Sequence, residues 1–301
     1  MAPSKSASSQ KVLGISIGHP DKALWPKSKF GAAVTKLDLA RYYTAAAERM
    51  LPHVVQRPIS IVRAPDGITG GTFFQRHAMA GALAIRVRGQ NKPFLGIVGA
   101  RGLVALAQAA AVEIQPWGCA TADPERPARI VFDLDPAPSV PFDRVVEAAN
   151  ELRVRLTDLG LAPFVKTTGG KGLHVVIAVG GTTSWADAKT FAKALASAMA
   201  RDEPGLYTTS VAKAARRGKI YIDYLRNDRM ASTIAPWSPR ARPGAPIAVP
   251  LSWRQVRHGL DPHRFTVATA GHLLRKPDPW ATLARSARSL TAAMKKLQPA
   301  E

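Results

Sequence analysis

The chain has 301 residues, enough to bury a full hydrophobic core without a disulfide or metal to hold it. It contains 42 Lys and Arg residues and 21 Asp and Glu residues, which gives a net charge of +21. This charge favours a nucleic-acid-binding protein. The alternatives are a soluble protein that is merely basic and a protein that rests on anionic membranes. A single cysteine, Cys119, excludes a disulfide framework and a cysteine-based zinc finger.

The first half of the chain opens with a lead-in over residues 1–12, predicted to be flexible. It is rich in Ser and Lys and lacks the apolar stretch of a secretory signal, and no apolar run reaches the ~18 residues of a membrane span. These features favour a reducing cytosol. The predicted elements that follow are a helix from Thr35, whose Thr35-Asp38 spacing resembles a capping box, a strand over Ile59–Arg63 and a helix over 102–114.

The second half alternates strands and helices irregularly, which predicts an α+β or α/β architecture with a mixed sheet. A break near residues 120–128 is either a domain boundary or a loop. Residues 237–253, rich in proline and basic residues, predict an ordered loop or a long extended connection, and the tail from Pro277 has helical spacing. The predicted elements are strands over 128–135, up to Thr167, over 173–179 and over 219–224, and helices over 141–159 and 185–199.

Asp133 and Asp135 are the first candidates for chemistry. Alternate residues of a strand share a face, so both carboxylates point the same way. Two adjacent carboxylates are costly unless something positive lies between them, and hard divalent cations prefer oxygen ligands. The pair therefore predicts a metal site, and the alternative is a strand-end pair that caps the next helix.

Residues 167–174 read Thr-Thr-Gly-Gly-Lys-Gly-Leu-His. The three glycines allow backbone N–H groups to turn toward an anion, and Lys171 adds a positive charge. His174 starts an apolar strand and would lean into the same pocket. The order of residues differs from a P-loop, and a strand follows instead of a helix. A phosphate-binding turn is predicted, and a hairpin turn without a ligand is the alternative.

A third carboxylate, Asp223, lies on the predicted strand 219–224, where the period of two places it on one face with Lys219 and Tyr221. An acidic residue within a core strand needs a partner, which is either a metal or a salt bridge to Lys219 or Arg226. Arginines can fork onto a triphosphate, and the polar residues downstream are Ser238, Arg240 and Arg242.

These three segments, in this order, resemble the archaeo-eukaryotic primase superfamily, and more closely the polymerase domain of bacterial non-homologous end-joining ligase D. The resemblance covers about residues 21–253. It implies an α+β primase-polymerase fold, with mixed or antiparallel central sheets flanked by helices and an RRM-like catalytic core. It further implies a single domain over 13–301, with a DNA-end-binding part over about 13–125, a catalytic part over about 126–260 and a C-terminal helical tail.

The resemblance also implies residue roles. The family often has Ser where Thr168 stands, so the hydroxyl is retained. The implied metal ligands, which are also the catalytic residues, are Asp133, Asp135 and Asp223, and the implied nucleotide-binding residues are Thr168, Lys171, Gly172, His174, Lys219, Ser238 and Arg240.

Two N-terminal segments are similar to the family as well. Residues 21–26 and 35–36 resemble the segments in which Lys22 and Lys36 would grip the 5′-phosphate of the downstream strand at a break. Residues 72–77 resemble an aromatic element near the template. Of Phe73 and Phe74, one is expected to pack inward and one to stack on a base, with Phe74 favoured as the buried one.

The implied activity is addition of nucleoside triphosphates, ribonucleotides preferred, to 3′-hydroxyl ends by two divalent ions, Mn²⁺ preferred and Mg²⁺ second. The implied partners are DNA ends with a 5′-phosphate, Ku and an ATP-dependent DNA ligase, in a bacterial cytoplasm near the nucleoid. Because a Lys-x-Asp-Gly motif is lacking, joining would require another domain or protein. The alternatives are a catalytically inactive DNA-end-binding module and a haloacid-dehalogenase-type phosphatase, which Ala137 disfavours because that family has Thr or Val there.

Overall fold

The computed structural model describes residues 9–79 and 83–297. Residues 1–8 of the predicted lead-in and the last four residues of the tail lie outside this range, and residues 9–12 form a strand.

The strands are β1 (Ser9–Val12), β2 (Ile15–Gly18), β3 (Ala23–Trp25), β4 (Val34–Thr35), β5 (Ile59–Arg63), β6 (Phe73–Gln75), β7 (Leu83–Ile85), β8 (Phe94–Gly96), β9 (Ala111–Pro116), β10 (Arg129–Pro136), β11 (Pro163–Thr167), β12 (Leu173–Ala178), β13 (Tyr207–Thr208), β14 (Ile220–Asp223) and β15 (Pro250–Leu251). The helices are α1 (Lys36–Val54), α2 (Gly99–Gln108), α3 (Phe142–Asp158), α4 (Trp185–Asp202), α5 (Ala270–Leu274) and α6 (Thr291–Leu297), and short 3₁₀ turns lie at Ala214–Arg216, Trp253–Gln255, Pro262–Arg264 and Ala284–Ser286.

The chain divides into two compact units. Unit 1 comprises residues up to Pro116 together with Ile234–Ala248 and His263–Pro277, and unit 2 comprises Trp117–Thr233, Val249–Pro262 and the remainder from Asp278. The return of two late segments to unit 1 depends on packing between distant parts of the chain, which the sequence does not reveal.

Unit 1 contains an antiparallel sheet in which β5 pairs with β6, β8 and β9, and β7 pairs with β8. The long helix α1 packs against α2. Thr35 and Asp38 cap α1 reciprocally, so the predicted capping box is confirmed. Buried Tyr43 fixes α1 to β9 by donating from its hydroxyl to the carbonyl of Ala111 at 2.9 Å.

Unit 2 contains a six-stranded sheet in the order β13-β14-β10-β12-β11-β15, antiparallel except for the β13–β14 pair. Helix α3 packs against β10, β11 and β12, and α4 packs against β10 and β13. Along β10 the side chains of Ile130, Phe132 and Leu134 are fully buried and alternate with Asp133 and Asp135. This alternation turns the two carboxylates to the face opposite the apolar one.

Several sequence predictions are wrong in detail. The helix predicted over 102–114 ends at Gln108, because Ala110 adopts a left-handed conformation (φ 55°) and the chain then enters β9. The tail is helical only over Ala284–Ser286 and Thr291–Leu297 within the described residues. In the part of the chain that the structure covers, no helix is long and apolar enough to cross a lipid bilayer.

Candidate active site

A row of four charged or titratable side chains crosses the sheet of unit 2. In the strand register Asp133 lies opposite His174 on one side and opposite Asp223 on the other, and His174 lies opposite Lys166. Directly opposed residues point to the same face of a sheet. Asp135 lies two residues further along β10 and shares that face, so the structure brings together the three carboxylates singled out by the sequence.

The remainder of this face is apolar and covered. Val131 and Val176, the neighbours of the charged row, pack in a buried cluster with Trp280 and Leu283 from the C-terminal segment. The indole of Trp280 donates to the carbonyl of Val165 at 3.0 Å, which holds the segment on the sheet. The polar row is therefore bounded on one side by hydrophobic packing.

Cationic side chains surround the carboxylates. His174 Nε2 lies 3.4 Å from Asp133 Oδ1, and the Nε of Arg226 lies 3.2 Å from Asp223 Oδ2 and 3.9 Å from Asp133 Oδ2. Asp223 also accepts a hydrogen bond from the backbone N–H of Leu225 at 2.9 Å. Because these carboxylates are largely desolvated, such partners are needed to offset the cost of burying charge.

Asp135 has two cations of its own. The ammonium of Lys171 lies 3.4 Å from its Oδ1, and a guanidinium nitrogen of Arg216 lies 3.9 Å from its Oδ2. The Arg216 guanidinium also stacks 3.6 Å above the ring of Tyr221, the residue opposite Asp135 on β14. Stacking fixes the plane of this arginine beside the carboxylate.

The protonation of the row follows from burial and these neighbours. Burial alone would raise the pKa of Asp133, but His174 and Arg226 hold that pKa below its usual value. Burial raises the pKa of Asp223. Arg226 opposes this increase, and the negative charge of Asp133 adds to it. Burial and the charge of Lys166 lower the pKa of His174 to about 4, against the opposing effect of Asp133. At neutral pH, Asp133 is therefore ionised and His174 is uncharged.

The imidazole of His174 has one nitrogen in contact with Asp133 and one unmatched. Its Nδ1 is buried and has no hydrogen-bond partner among the described residues. A buried polar atom without a partner costs ~1–3 kcal/mol, so a ligand atom that hydrogen-bonds to Nδ1 would be stabilising.

The glycine-rich turn sits tightly against β10. The backbone N–H and the hydroxyl of Thr168 both reach the carbonyl of Gly172, at 3.2 and 3.1 Å, which closes the turn. A Cβ atom on Gly172 would lie 2.4 Å from the carbonyl oxygen of Leu134, so only glycine fits there. Lys171 donates to the carbonyl of Pro136, and its ammonium is thereby held at the end of β10.

Sequence reasoning missed Lys166 and Arg216 and considered Arg226 only as an ordinary salt-bridge partner. Lys166 is 2% exposed at the same register as His174. A lysine between Val165 and Thr167 in an otherwise apolar strand was the available signal, because a buried ammonium requires compensating groups. Arg216 follows no recognisable motif.

The donor set at the row fits divalent ions in chemistry, since three carboxylates share one face and hard cations prefer oxygen ligands. In the described ranges, however, no three His, Cys, Asp or Glu side chains are spaced so as to hold a metal. Each carboxylate instead contacts a cationic or imidazole side chain within 4 Å. Metal binding by Asp133, Asp135 and Asp223 remains a prediction.

Three cations gather at a second location, in unit 1. Burial and the charges of Lys22 and Arg63 lower the pKa of Lys36, whose ammonium donates to the carbonyl of Gly18 at 3.0 Å. Lys22 forms an exposed ion pair with Asp66 at 2.8 Å. Cations close enough to disfavour one another's charge form a site that an anion would stabilise.

The aromatic element lies on β6, next to this group of cations in unit 1. Phe73 is 46% exposed and Phe74 48% exposed, so the prediction that one of them packs inward is wrong. The guanidinium of Arg63 lies 5.1 Å from the centre of the Phe73 ring, and that of Arg76 lies 5.6 Å from that of Phe74. Strand β6 spans three residues on the β5 edge, too short to bury either ring.

Three further residues complete the predicted nucleotide-binding set. Ser238 and Arg240 belong to unit 1, where the Ser238 hydroxyl accepts from the N–H of Ile114 at 2.8 Å and the Arg240 Nε pairs with buried Glu113 at 2.9 Å. Lys219 is half-buried directly before β14. Their roles at a triphosphate remain predictions.

Comparison with known proteins adds independent findings. A family model described as LigD, primase-polymerase domain, matches residues 35–280. The multifunctional non-homologous end joining proteins LigD of Pseudomonas aeruginosa and Mycolicibacterium smegmatis are 35% and 32% identical, over 97% and 80% of this chain and 36% and 32% of their own lengths. The chain thus spans about a third of these relatives.

Among solved structures, the polymerase domain of Mycobacterium tuberculosis Ligase D in complex with DNA matches with a TM-score of 0.80 and 28% identity, over 91% of this chain and 99% of that one. The predicted α+β primase-polymerase fold with antiparallel and mixed sheets is confirmed.

Proposed function

Because the chain belongs to the family of LigD primase-polymerase domains, as its motifs predicted, we propose that it is a nucleotidyltransferase that extends 3′-hydroxyl ends and fills gaps at double-strand breaks in bacterial non-homologous end joining. The observation that carries the proposal is the direct opposition of Asp133 and Asp223 across paired strands, with Asp135 on the same face. Relatives bearing the end-joining name over most of this chain support the repair role. The phosphatase alternative has no comparable support.

In this mechanism Asp133, Asp135 and Asp223 would hold two divalent ions. When bound, such ions clamp the attacking and leaving oxygens of an in-line displacement and lower the pKa of the attacking hydroxyl. Asp133 is suited to the role because its pKa is held low and its carboxylate is ionised at neutral pH. Arg226, within 4 Å of both Asp133 and Asp223, offsets their charge between turnovers.

His174 would contact the incoming triphosphate through Nδ1. Phosphate oxygens accept hydrogen bonds and do not donate them, so this contact needs a proton on Nδ1 while Nε2 keeps its proton toward Asp133. A bound triphosphate supplies negative charge that would raise the pKa of His174 and favour the doubly protonated ring. Nucleotide binding is therefore expected to weaken as pH rises.

The glycine turn would hold the same triphosphate. Lys171 provides a point charge at the end of β10, and the Thr168 hydroxyl together with Gly172 shapes the turn beside it. We include Lys219, Ser238 and Arg240 as further triphosphate contacts on the strength of the family resemblance. An Arg240→Lys variant tests the last of these, because lysine keeps the charge and loses the bidentate fork.

Lys22 and Lys36 would bind the 5′-phosphate at the far side of a gap, and Phe73 and Phe74 would stack on template bases. The cluster of Lys22, Lys36 and Arg63 supplies the positive charge for a phosphate. The exposure of both phenylalanines suits stacking, which contributes ~1–3 kcal/mol per base.

The test is primer extension on a gapped duplex with a 5′-phosphate, comparing ribonucleotides with deoxyribonucleotides and Mn²⁺ with Mg²⁺. We expect extension by one or more nucleotides, with ribonucleotides and Mn²⁺ preferred. A chain that binds the gapped duplex but extends no primer in either metal would be the inactive end-binding module. Isothermal titration with Mn²⁺ and a triphosphate then separates two explanations. No binding means an inactive site, and binding without extension means that the assay conditions are unsuitable.

Ku, an ATP-dependent ligase and a cytoplasmic, nucleoid-associated location belong to this proposal as well. The relatives named as multifunctional are about three times as long as the matched region, which leaves room for joining activity in other domains of those proteins. Co-purification with Ku and stimulation of end joining by added ligase would test both partners.

A further inference from the structure

A buried carboxylate in unit 1, that of Glu113, has no role in the proposed function. Glu113 lies in the middle of β9, where its neighbours Val112 and Ile114 are buried and apolar, and it is itself only 5% exposed. A buried carboxylate is costly unless cationic and hydrogen-bonding groups surround it. The groups that contact Glu113 therefore indicate what this carboxylate does.

Both oxygens of the Glu113 carboxylate accept hydrogen bonds. Oε1 lies 2.9 Å from the Nε of Arg240 and accepts from the backbone N–H of Ala241 at 3.0 Å. Oε2 accepts from the side-chain amide of Gln115 at 2.9 Å. Because donors act on both oxygens, the carboxylate is fixed in one orientation and presents a rigid partner to the guanidinium.

The backbone of Arg240 is fixed as well. Its carbonyl accepts a hydrogen bond from the indole of the fully buried Trp25 at 2.9 Å, and its N–H donates to the carbonyl of Pro246 at 2.9 Å. The backbone and the Nε of this residue are thus both held by residues of unit 1. The Arg240 side chain keeps 21% of its surface in contact with solvent, so the ion pair leaves part of the guanidinium accessible to a ligand.

Glu113 has two opposing effects on an anion that approaches Arg240. Its negative charge weakens the attraction between the guanidinium and the anion. Its hydrogen bond holds the long side chain in one orientation, so less rotamer freedom is lost when the anion binds. Hydrogen bonds from Ala241 and Gln115 offset part of the repulsion. Orientation is therefore the larger effect, because bidentate binding of a phosphate requires a fixed guanidinium plane.

We propose that Glu113 is a positioning residue, which orients the guanidinium of Arg240 to bind the triphosphate of the incoming nucleotide. The proposal rests on the proposed function, which assigns Arg240 to the triphosphate, and it adds a residue that does not itself touch the nucleotide. Glu113 acts on the affinity for nucleoside triphosphate and leaves the chemical step to the carboxylates of unit 2.

The variant Glu113→Asp separates orientation from charge. Aspartate keeps the negative charge and withdraws the carboxylate by one methylene, so the guanidinium of Arg240 has to move to follow it. Isothermal titration of the full chain with a nucleoside triphosphate and Mn²⁺ should show binding weakened by about tenfold. The KM for the nucleotide should rise by the same factor, with kcat changed by less than about twofold. Unchanged or tighter binding would overturn the proposal, because a charge that only neutralises Arg240 is retained in this variant.

A double variant shows whether the effect of Glu113 passes through Arg240. Arg240→Lys keeps the positive charge and has no fork to orient, so Glu113→Asp should change the triphosphate affinity by less than about twofold in the Arg240→Lys background. A full, additive loss in that background contradicts the proposal. The matched control is Glu125→Asp, which shortens the carboxylate of an exposed ion pair with Arg229. Weakening of triphosphate binding by the control as large as that by Glu113→Asp also contradicts it.

Urea denaturation of each variant shows whether it is folded under the conditions of the titration. If Glu113→Asp is too unstable to titrate, Gln115→Leu replaces it. That variant removes one donor from the carboxylate and leaves the ion pair in place, so a weakening of about threefold is expected, and it should again vanish in the Arg240→Lys background. Undiminished affinity in Gln115→Leu would refute the proposal.

Primer extension on a gapped duplex by the unchanged chain is measured in parallel. Extension, together with a triphosphate affinity that does not respond to Glu113→Asp, refutes this inference alone. A triphosphate affinity that falls as expected, without any extension by the unchanged chain, refutes the proposed catalytic function alone.

Discussion

Unit 2 and unit 1 use charge in opposite settings. In unit 2, Asp133, His174 and Lys166 lie in register on a wide sheet, largely removed from solvent, and the carboxylates contact basic side chains within 4 Å. In unit 1, Lys22 and the ring of Phe73 are exposed, whereas neighbouring Lys36 is buried. Desolvated charges interact strongly and tolerate little change, whereas solvated ones contribute in graded amounts. On the proposed function, this contrast separates the site of nucleotidyl transfer from the surfaces that recognise DNA.

The largest expected effect is at the carboxylates. Asp133→Ala or Asp135→Ala should lower primer extension by about a thousandfold or more, because under the proposed two-metal mechanism several kcal/mol of charge stabilisation by the metals would be lost. Binding to gapped DNA should change little. Asp158→Ala, an exposed position at the end of α3, is the control. Extension by Asp135→Ala in Mn²⁺ would show that the assignment is wrong.

Lys166→Met tests the contribution of a buried charge in unit 2, because it removes the ammonium and leaves all three carboxylates in place. Lys166 lowers the pKa of His174, so the variant should raise that pKa above about 4, measurable by NMR titration of the imidazole. Primer extension should fall by about ten- to a hundredfold, the usual range when a residue that orients a site residue is replaced. Lys166→Arg keeps the charge and should restore the low pKa. A His174 pKa unaffected by Lys166→Met would place the ammonium outside the site.

Graded behaviour is expected in unit 1. Replacing Lys22 and Lys36 together with Ala should remove the preference for 5′-phosphorylated over unphosphorylated gaps, an effect of about a hundredfold, since each charge-assisted hydrogen bond contributes ~1.5–3 kcal/mol. Extension of a primer without a downstream strand should remain. The control is Lys193→Ala, and an undiminished preference for the phosphate would contradict the assignment.

The smallest effect concerns stability alone. In the capping box of α4, Ser184 and Asp187 satisfy each other's backbone groups, and these hydrogen bonds lower the pKa of Asp187. Ser184→Ala should cost about 1 kcal/mol of unfolding free energy with unchanged activity. The contribution of Asp187 is present above its unfolded pKa and is lost as pH falls through the lower folded value. Chemical denaturation at neutral and acidic pH would show the difference narrowing in acid.

The sequence predicts the strand that bears Asp133 and Asp135 because residue alternation is a local property, and it predicts the cap of α1 for the same reason. Which side chains lie next to one another in the charged row depends instead on how the strands pair across the sheet. Asp133 meets His174 and Asp223 through the β10–β12 and β10–β14 registers, which no local pattern reveals. The end of α2 was misplaced because a left-handed Ala110 gives no compositional signal.

The exposure of Phe74 was also predicted wrongly. Paired phenylalanines are usually core residues, so Phe74 was expected to be buried, but β6 is a three-residue edge strand with too little sheet around it.

The row of Lys166, His174, Asp133 and Asp223 draws on four strands. Strand β10 joins β12 and β14 only through pairing between distant parts of the chain, whereas β11 and β12 form a local hairpin. Contacts between distant parts of a chain form late in folding, because the entropy of closing long loops must be overcome first. On refolding from denaturant, helical signal should therefore return before catalytic activity. On the proposed function, a chain still emerging from the ribosome would be unable to bind nucleotide until the segment carrying Asp223 had been made and had docked on β10.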